Sequence, residues 1–284
     1  LIKRCKVNKT IAGKINVYYG KPGIGNNYPE FSIYGVSNPD EYCHGLQHIL
    51  VGDLNDDGFD DLVTGTNNFG LPQLDKGYVQ IWFSASDGSG IDTNNTLLWY
   101  GKNSYSSFAA QMEIADVTGD HIFDLVVTAR FESLLEGKTF VYIGGRSFDT
   151  IPDASLYSPD TYGLRLVTVD DFNGDKIKDI LLLDYYMWRL DRQRLHVFFG
   201  GFPMQELPAA KTDIFGYDAI GTFDVNHDDV ADIHIQNSSK QNDLQLFSGK
   251  QKFNFKEKEK LTNLPVFPVG KEIKYELKFS PKKM

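Results

Sequence analysis

One nine-residue acidic pattern occurs four times along the chain, and no other feature constrains the fold as tightly. The copies are DLNDDGFDD (53–61), DVTGDHIFD (116–124), DFNGDKIKD (171–179) and DVNHDDVAD (224–232). All fit Asp-x-(Asn/Thr)-x-Asp-x-x-x-Asp. With Asp near one residue in ten, chance supplies on the order of 0.1 such match in a chain of this length. Their starts lie 63, 55 and 53 residues apart, which is the spacing of a repeat architecture. In the first copy five of the nine residues are Asp, and nothing basic lies between residues 51 and 65. Carboxylates that close repel one another, so such a segment is either a solvated turn or a seat for a cation.

The flanks repeat as well. After each acidic segment comes a β-rich run: DLVTG, DLVVTA, DILLL and DIHIQ. Before each lies another: LQHILVG, QMEIA, LRLVTV and AIGTF. A third type ends in aromatic residues (VYYG, IWFS, VYIGG, VFFGG, LFSG), and a fourth reads FSIYG, LLWYG, SLYS, DIFG and PVFP. Four strands per unit with no amphipathic helical stretch between them predict an all-β fold, a β-propeller of about five four-stranded blades. A long β-sandwich does not account for one period shared by several strand types. The expected units are a partial one at 1–43, then 44–104, 105–160, 161–216 and 217–269. The tail GKEIKYELKF (270–279) and residues 1–11 would complete the partial unit, closing the ring within 1–284 and removing exposed sheet edges.

As a ligand set, each acidic segment offers oxygen only. Side chains at positions one, three, five and nine, with the carbonyl at seven, can converge on a hard divalent ion if the turn is tight. These are Asp53, Asn55, Asp57, Phe59 and Asp61; Asp116, Thr118, Asp120, Ile122 and Asp124; Asp171, Asn173, Asp175, Ile177 and Asp179; Asp224, Asn226, Asp228, Val230 and Asp232. No Cys or His holds a ligand position, which disfavours zinc and copper. Magnesium would keep more water, leaving Ca²⁺, up to four ions, as the expected cofactor. Four such ions would offset most of the formal charge of −9. The plain alternative is a set of Asp-rich turns that cap themselves without metal.

These segments resemble the calcium-binding loops of FG-GAP repeats, found in the α-subunit propeller of integrins and in secreted propellers. The resemblance runs from about residue 12 to 268. It implies that each loop joins the first two strands of a blade and that Ca²⁺ rigidifies the hairpin. The Phe-Gly and Gly-Ala-Pro flanks of the family are mostly missing, and TGTNN stands where Gly-Ala-Pro would be. Position six is Gly only at Gly58, with His121, Lys176 and Asp229 elsewhere. The Lys176 loop is therefore expected to be the least tight, and Thr118 to weaken the second. Integrin-type rings hold seven blades, so a segment of a seven-bladed ring is the alternative architecture.

The rest of the sequence narrows the function. Asp outnumbers Glu 28 to 10, which places the acidity in turns rather than on helix faces. The negative balance argues against nucleic acid and polybasic membrane contacts. No run approaches the roughly 18 apolar residues of a membrane span. The chain starts at Leu1 without Met or an apolar signal core, as expected of a processed form or a piece of a longer protein. Cys5 and Cys43 could pair or stay as two buried thiols. Sequons at Asn8, Asn94 and Asn237 point toward an extracellular, glycosylated context. Signatures of hydrolases, metalloproteases and phosphate-binding loops are absent; GKPGIG (20–25) reads as a turn, and His44 and His48 as structural. Tyr185, Tyr186, Trp188 and Arg189, in the unrepeated insert DYYMWRLDRQR (184–194), are a candidate binding surface, although packing between blades would explain them too. Trp99 and Tyr100 are expected to pack. The expected function is an extracellular calcium-binding propeller without catalysis, acting in adhesion, protein interaction or surface assembly. A lectin-like glycan binder is the alternative, and a propeller polysaccharide lyase or hydrolase a more distant one.

Overall fold

The computed structural model describes residues 3–7, 10–18, 28–34, 47–67, 76–133, 136–159, 163–184, 193–214, 219–237 and 243–249. Every regular element among them is a β-strand. The strands form five antiparallel sheets, each a meander of consecutive strands. The first holds β1 (Lys3–Val7), β2 (Thr10–Val17) and β3 (Phe31–Tyr34). The second holds β4 (His48–Gly52), β5 (Asp61–Thr66), β6 (Tyr78–Ser84) and β7 (Ile91–Tyr100). The third holds β8 (Gln111–Ala115), β9 (Asp124–Ser133), β10 (Glu136–Tyr142) and β11 (Ala154–Leu156). The fourth holds β12 (Leu164–Asp170), β13 (Asp179–Asp184), β14 (Gln193–Phe198) and β15 (Ala210–Ile214). The fifth holds β16 (Ala219–Phe223), β17 (Asp232–Asn237) and β18 (Asp243–Phe247).

Each sheet packs on the next in chain order, with one core between each pair. Ile15 and Ile33 meet Leu62, Tyr78 and Trp82. Val63, Val79 and Ile81 meet Met112, Leu125 and Val127. Val126, Val141 and Leu156 meet Leu164, Leu182 and Phe198. Leu181, Leu195 and Val197 meet Ile233 and Phe247. Successive residues of a strand point to opposite faces, so Leu62 and Val63, or Val126 and Val127, serve different cores. That explains why DLVTGT and DILLLD are buried along their whole length: a strand covered on both faces has no solvent side to make polar.

The second strand of each of the last four sheets begins on the ninth residue of an acidic segment. The segment itself links the first strand to the second, at the same end of each sheet. Residues 270–279, proposed to close the partial unit, lie outside the described residues.

Candidate functional site

The four acidic loops share one backbone conformation. Positions four and six are left-handed in all of them: Asp56 (φ 57°) and Gly58 (90°), Gly119 (84°) and His121 (72°), Gly174 (80°) and Lys176 (72°), His227 (62°) and Asp229 (66°). Such alternation turns peptide N–H groups inward into a concavity that suits an anion. The first Asp of each loop fills it. One of its carboxylate oxygens accepts the position-six N–H, at 2.8 Å from Gly58, 2.9 Å from His121, 2.8 Å from Lys176 and 2.9 Å from Asp229. The other accepts the N–H of Asp57 (3.2 Å), Gly119, Gly174 or His227 (2.6 Å each). Glycine at position six is therefore not required. A left-handed non-glycine residue costs roughly 1 kcal/mol, and charge-assisted bonds to the first Asp are of a size to offset it.

Positions three and five continue the pattern. Asn55, Asn173 and Asn226 each accept the N–H of the Asp two residues on, at 3.1, 2.9 and 3.1 Å. Their amide nitrogens donate to the same Asp side chains at 3.1, 2.9 and 3.1 Å. Asp57, Asp120, Asp175 and Asp228 in turn accept the N–H at position seven, at 2.9, 2.9, 2.9 and 3.0 Å. Thr118 breaks the series. It is 9% exposed, and its buried hydroxyl oxygen has no hydrogen-bond partner.

The ninth Asp has a role that sequence reasoning missed. Asp61, Asp124, Asp179 and Asp232 are wholly buried. One oxygen accepts the position-two N–H of its own loop, from Leu54 (3.0 Å), Val117 (2.9 Å), Phe172 (2.8 Å) or Val225 (2.9 Å). The other accepts an N–H just past or at the end of the third strand, from Ser84 (2.9 Å), Gly144 (3.0 Å), Gly200 (2.8 Å) or Gly249 (2.8 Å). It thus staples the loop to the third strand. The donor residue comes so close to the loop that a Cβ on Gly200 would lie 2.4 Å from the Lys178 carbonyl oxygen. Ser84 uses the proximity instead, its hydroxyl donating to the Asp60 carbonyl at 2.5 Å. The sequence signal was the Gly or Ser that ends each aromatic strand.

Burial of the staple is electrostatically costly. It pushes the Asp61 and Asp124 carboxyls up to about 6 and Asp179 up to about 7, against the lowering effect of their N–H donors. Neighbouring loop carboxylates add to the rise: Asp57 and Asp53 for Asp61, Asp120 for Asp124, Asp175 and Asp171 for Asp179.

The expected convergence of side chains on one point is not what the geometry displays. Among the described residues no three His, Cys, Asp or Glu side chains form a group that could hold a metal ion. The reason is local: each carboxylate is turned toward backbone N–H groups, which supply the positive charge that relieves the repulsion. The donor chemistry nevertheless fits a hard cation. Every candidate ligand is oxygen, carboxylate oxygens that accept a single N–H, such as Asp53 Oδ2 from Gly58 and Asp171 Oδ2 from Lys176, keep a second lone pair, and the Thr118 hydroxyl is unengaged at a ligand position. Beside the first loop, Asn55, Asp56, Asp57 and Arg146 line an open depression of about 360 Å³.

Other residues singled out in the sequence fall as follows. His48 donates from Nε2 to the Ala110 carbonyl at 3.1 Å, and burial lowers its pKa, so it is a neutral structural tie between two sheets. The Trp99 indole donates to the Tyr142 hydroxyl at 3.1 Å with the rings 5.3 Å apart, which is packing. Tyr100 tilts against Tyr78 with ring centroids 6.1 Å apart. Asn94 is exposed on β7. Cys5 stands on β1 opposite Ala12, and Asn237 ends β17. Asn8, Cys43, His44, residues 20–25, Tyr185, Tyr186, Trp188 and Arg189 lie outside the described residues. No helix among the described residues is long and apolar enough to cross a membrane.

Comparison with known proteins agrees with the loop-centred geometry. A phosphatidylinositol-glycan-specific phospholipase D of Dictyostelium discoideum is 26% identical to this chain, over 62% of the chain and 21% of the relative. The chain therefore matches about a fifth of that relative's length. The family model for the FG-GAP repeat matches residues 47–82, the span from the start of β4 through the first acidic loop and β5 into β6. This chain carries an FG-GAP repeat.

Proposed function

We propose that the chain is a calcium-binding β-propeller of about five blades that works outside the cell as an interaction module, with Ca²⁺ in a structural role. The observation that carries this reading is the fourfold recurrence of one loop. The same left-handed turns, oxygen-bearing side chains at the same positions and the same buried staple appear at the same end of four successive sheets. Asp53, Asn55, Asp57, Asp61 and the Phe59 carbonyl would hold the first ion, and the corresponding residues of the other loops the rest. A bound ion supplies positive charge that cancels repulsion among the Asp side chains, and so stiffens the link between first and second strands. Open, partly exposed loops suit the millimolar calcium of extracellular fluid, where modules bind at about 10⁻⁴–10⁻³ M. Face-to-face packing of successive sheets supports a ring of blades.

The test is thermal unfolding in excess chelator, then with Ca²⁺ or Mg²⁺ restored. We expect a melting temperature lower by about 10 °C or more without calcium, recovered by Ca²⁺ better than by Mg²⁺. Identical melting in chelator and in calcium would sink the calcium assignment.

The relative's name raises an enzymatic reading. We propose instead that the matched region is a non-catalytic module, since it spans only a fifth of that protein and a His–Asp pair outside the repeated loops, His196 with Asp184, is buried away from solvent. Incubation of the chain with a phosphatidylinositol-glycan-anchored protein should release nothing; measurable turnover would overturn this. Whether the partner is a protein, a glycan or a second copy of the chain is read from a glycan array and from particle size in solution, each with and without calcium.

A further inference from the structure

We propose that the second, third and fourth acidic loops take up cations as a coupled row, each filled loop raising its neighbour's affinity. This rests on the reading that the loops hold Ca²⁺. The coupling itself stands on contacts between loops that ligand chemistry does not require.

The peptide carrying the first Asp of one loop is bonded to the next loop. The Asp116 carbonyl accepts the N–H of Lys178 at 3.3 Å, and the Asp171 carbonyl accepts the N–H of Ala231 at 2.8 Å. Lys178 and Ala231 sit immediately before the staples Asp179 and Asp232. The Val117 carbonyl also accepts the N–H of Gly201 at 2.8 Å, beside the Gly200 that donates to Asp179. Side chains interlock too. A Cβ on Gly119 would lie 2.7 Å from Ile177, and one on Gly174 would lie 3.1 Å from Val230. Position four of one loop thus rests on position seven of the next.

Ordering a loop around an ion fixes its eighth and ninth residues. Through those bonds it also fixes the backbone of the preceding loop's first ligand, so that loop has less freedom left to lose when it binds. The second loop holds the clearest sign of readiness, the buried Thr118 hydroxyl with no partner. The first loop joins the row more weakly. Its link to the third sheet is the Leu54 carbonyl accepting Gly145 N–H at 2.8 Å, no bond runs from the Asp53 carbonyl to the second loop among the described residues, and Phe123 is left 46% exposed.

The experiment is a Ca²⁺ titration of the full chain by calorimetry, with hydrogen exchange followed over residues 111–130 and 164–184. Three variants accompany it: Asp175→Asn in the third loop, Asp57→Asn in the first, and Ile177→Ala, which keeps every oxygen donor. We expect positive cooperativity in the parent. Asp175→Asn should weaken protection of residues 116–124 by about fivefold in calcium concentration, whereas Asp57→Asn leaves it unchanged. Ile177→Ala should bind as many ions with less cooperativity. Independent sites, with Asp175→Asn felt only in its own loop, overturn the coupling and leave the calcium reading standing. No binding heat and no change in exchange overturn both.

Discussion

The first and third acidic loops invite comparison because sequence ranks them in the opposite order from structure. The first has the favourable glycine at position six; the third has Lys176 there. Yet Lys176 adopts a φ of 72°, the value of His121, and the third loop is the more enclosed. Asp171 and Asn173 are each 7% exposed, while Asp53 and Asn55 are half-buried. Backbone bonds tie the third loop to the second through Lys178 and to the fourth through Asp171. A strained residue is tolerated where its surroundings hold it in place, so the neighbouring sheets weigh more than the identity of residue six.

The hardest way to break that comparison is at the staples. Asp179→Ala would strand the buried Phe172 N–H and the partly buried Gly200 N–H, at a cost of about 4 kcal/mol. Thermal denaturation should show a melting temperature lower by roughly 10 °C. Asp61→Ala removes equivalent bonds at the looser end of the row and should cost less; an equal or larger loss there would undo the ranking of the loops.

A second test uses pH. The folded carboxyls of Asp61 and Asp124 titrate at about 6 and that of Asp179 at about 7, above the ordinary value of 3.8. A raised folded value means the native state holds protons that the unfolded chain has released. Stability from these groups is therefore full below 3.8 and is lost as pH rises toward 6 to 7. In chelator, the melting temperature should fall between pH 4 and 7, most steeply for the portion due to Asp179. In saturating Ca²⁺ the slope should flatten or reverse, because an ion favours the ionised carboxylate. Parallel pH curves with and without calcium would show that the buried staples do not sense the ion.

The smallest effects concern the left-handed positions. Lys176→Gly should stabilise by no more than about 1 kcal/mol, relieving a conformation that glycine adopts freely. Gly119→Ala should do the reverse, since φ is +84° and the new methyl would press on Ile177 at 2.7 Å. Paired melts of these two variants separate backbone strain from packing.

Much of this was legible from residue order. The repeat, the strand runs and the position of each acidic loop between first and second strands are local patterns, carried by spacing and side-chain type. The turn-forming role of the loop residues was equally legible, because Asp and Asn at alternate positions cap the backbone of a tight turn. The staple was not. Nothing in DLNDDGFDD distinguishes Asp61, buried and bonded on both oxygens, from Asp60, which is exposed.

Sequence alone determined that this chain repeats, that the repeats are built of strands, and that its acidity lies in turns, since all three follow from short-range periodicity and local backbone preference. Only the tertiary structure decided which carboxylate is buried, which loops touch, and that glycine at position six is dispensable. Those outcomes depend on N–H groups 17 to 23 residues downstream and on carbonyls in the adjoining sheet. Such partners come within reach only when the sheets have packed, and no local pattern records their distance.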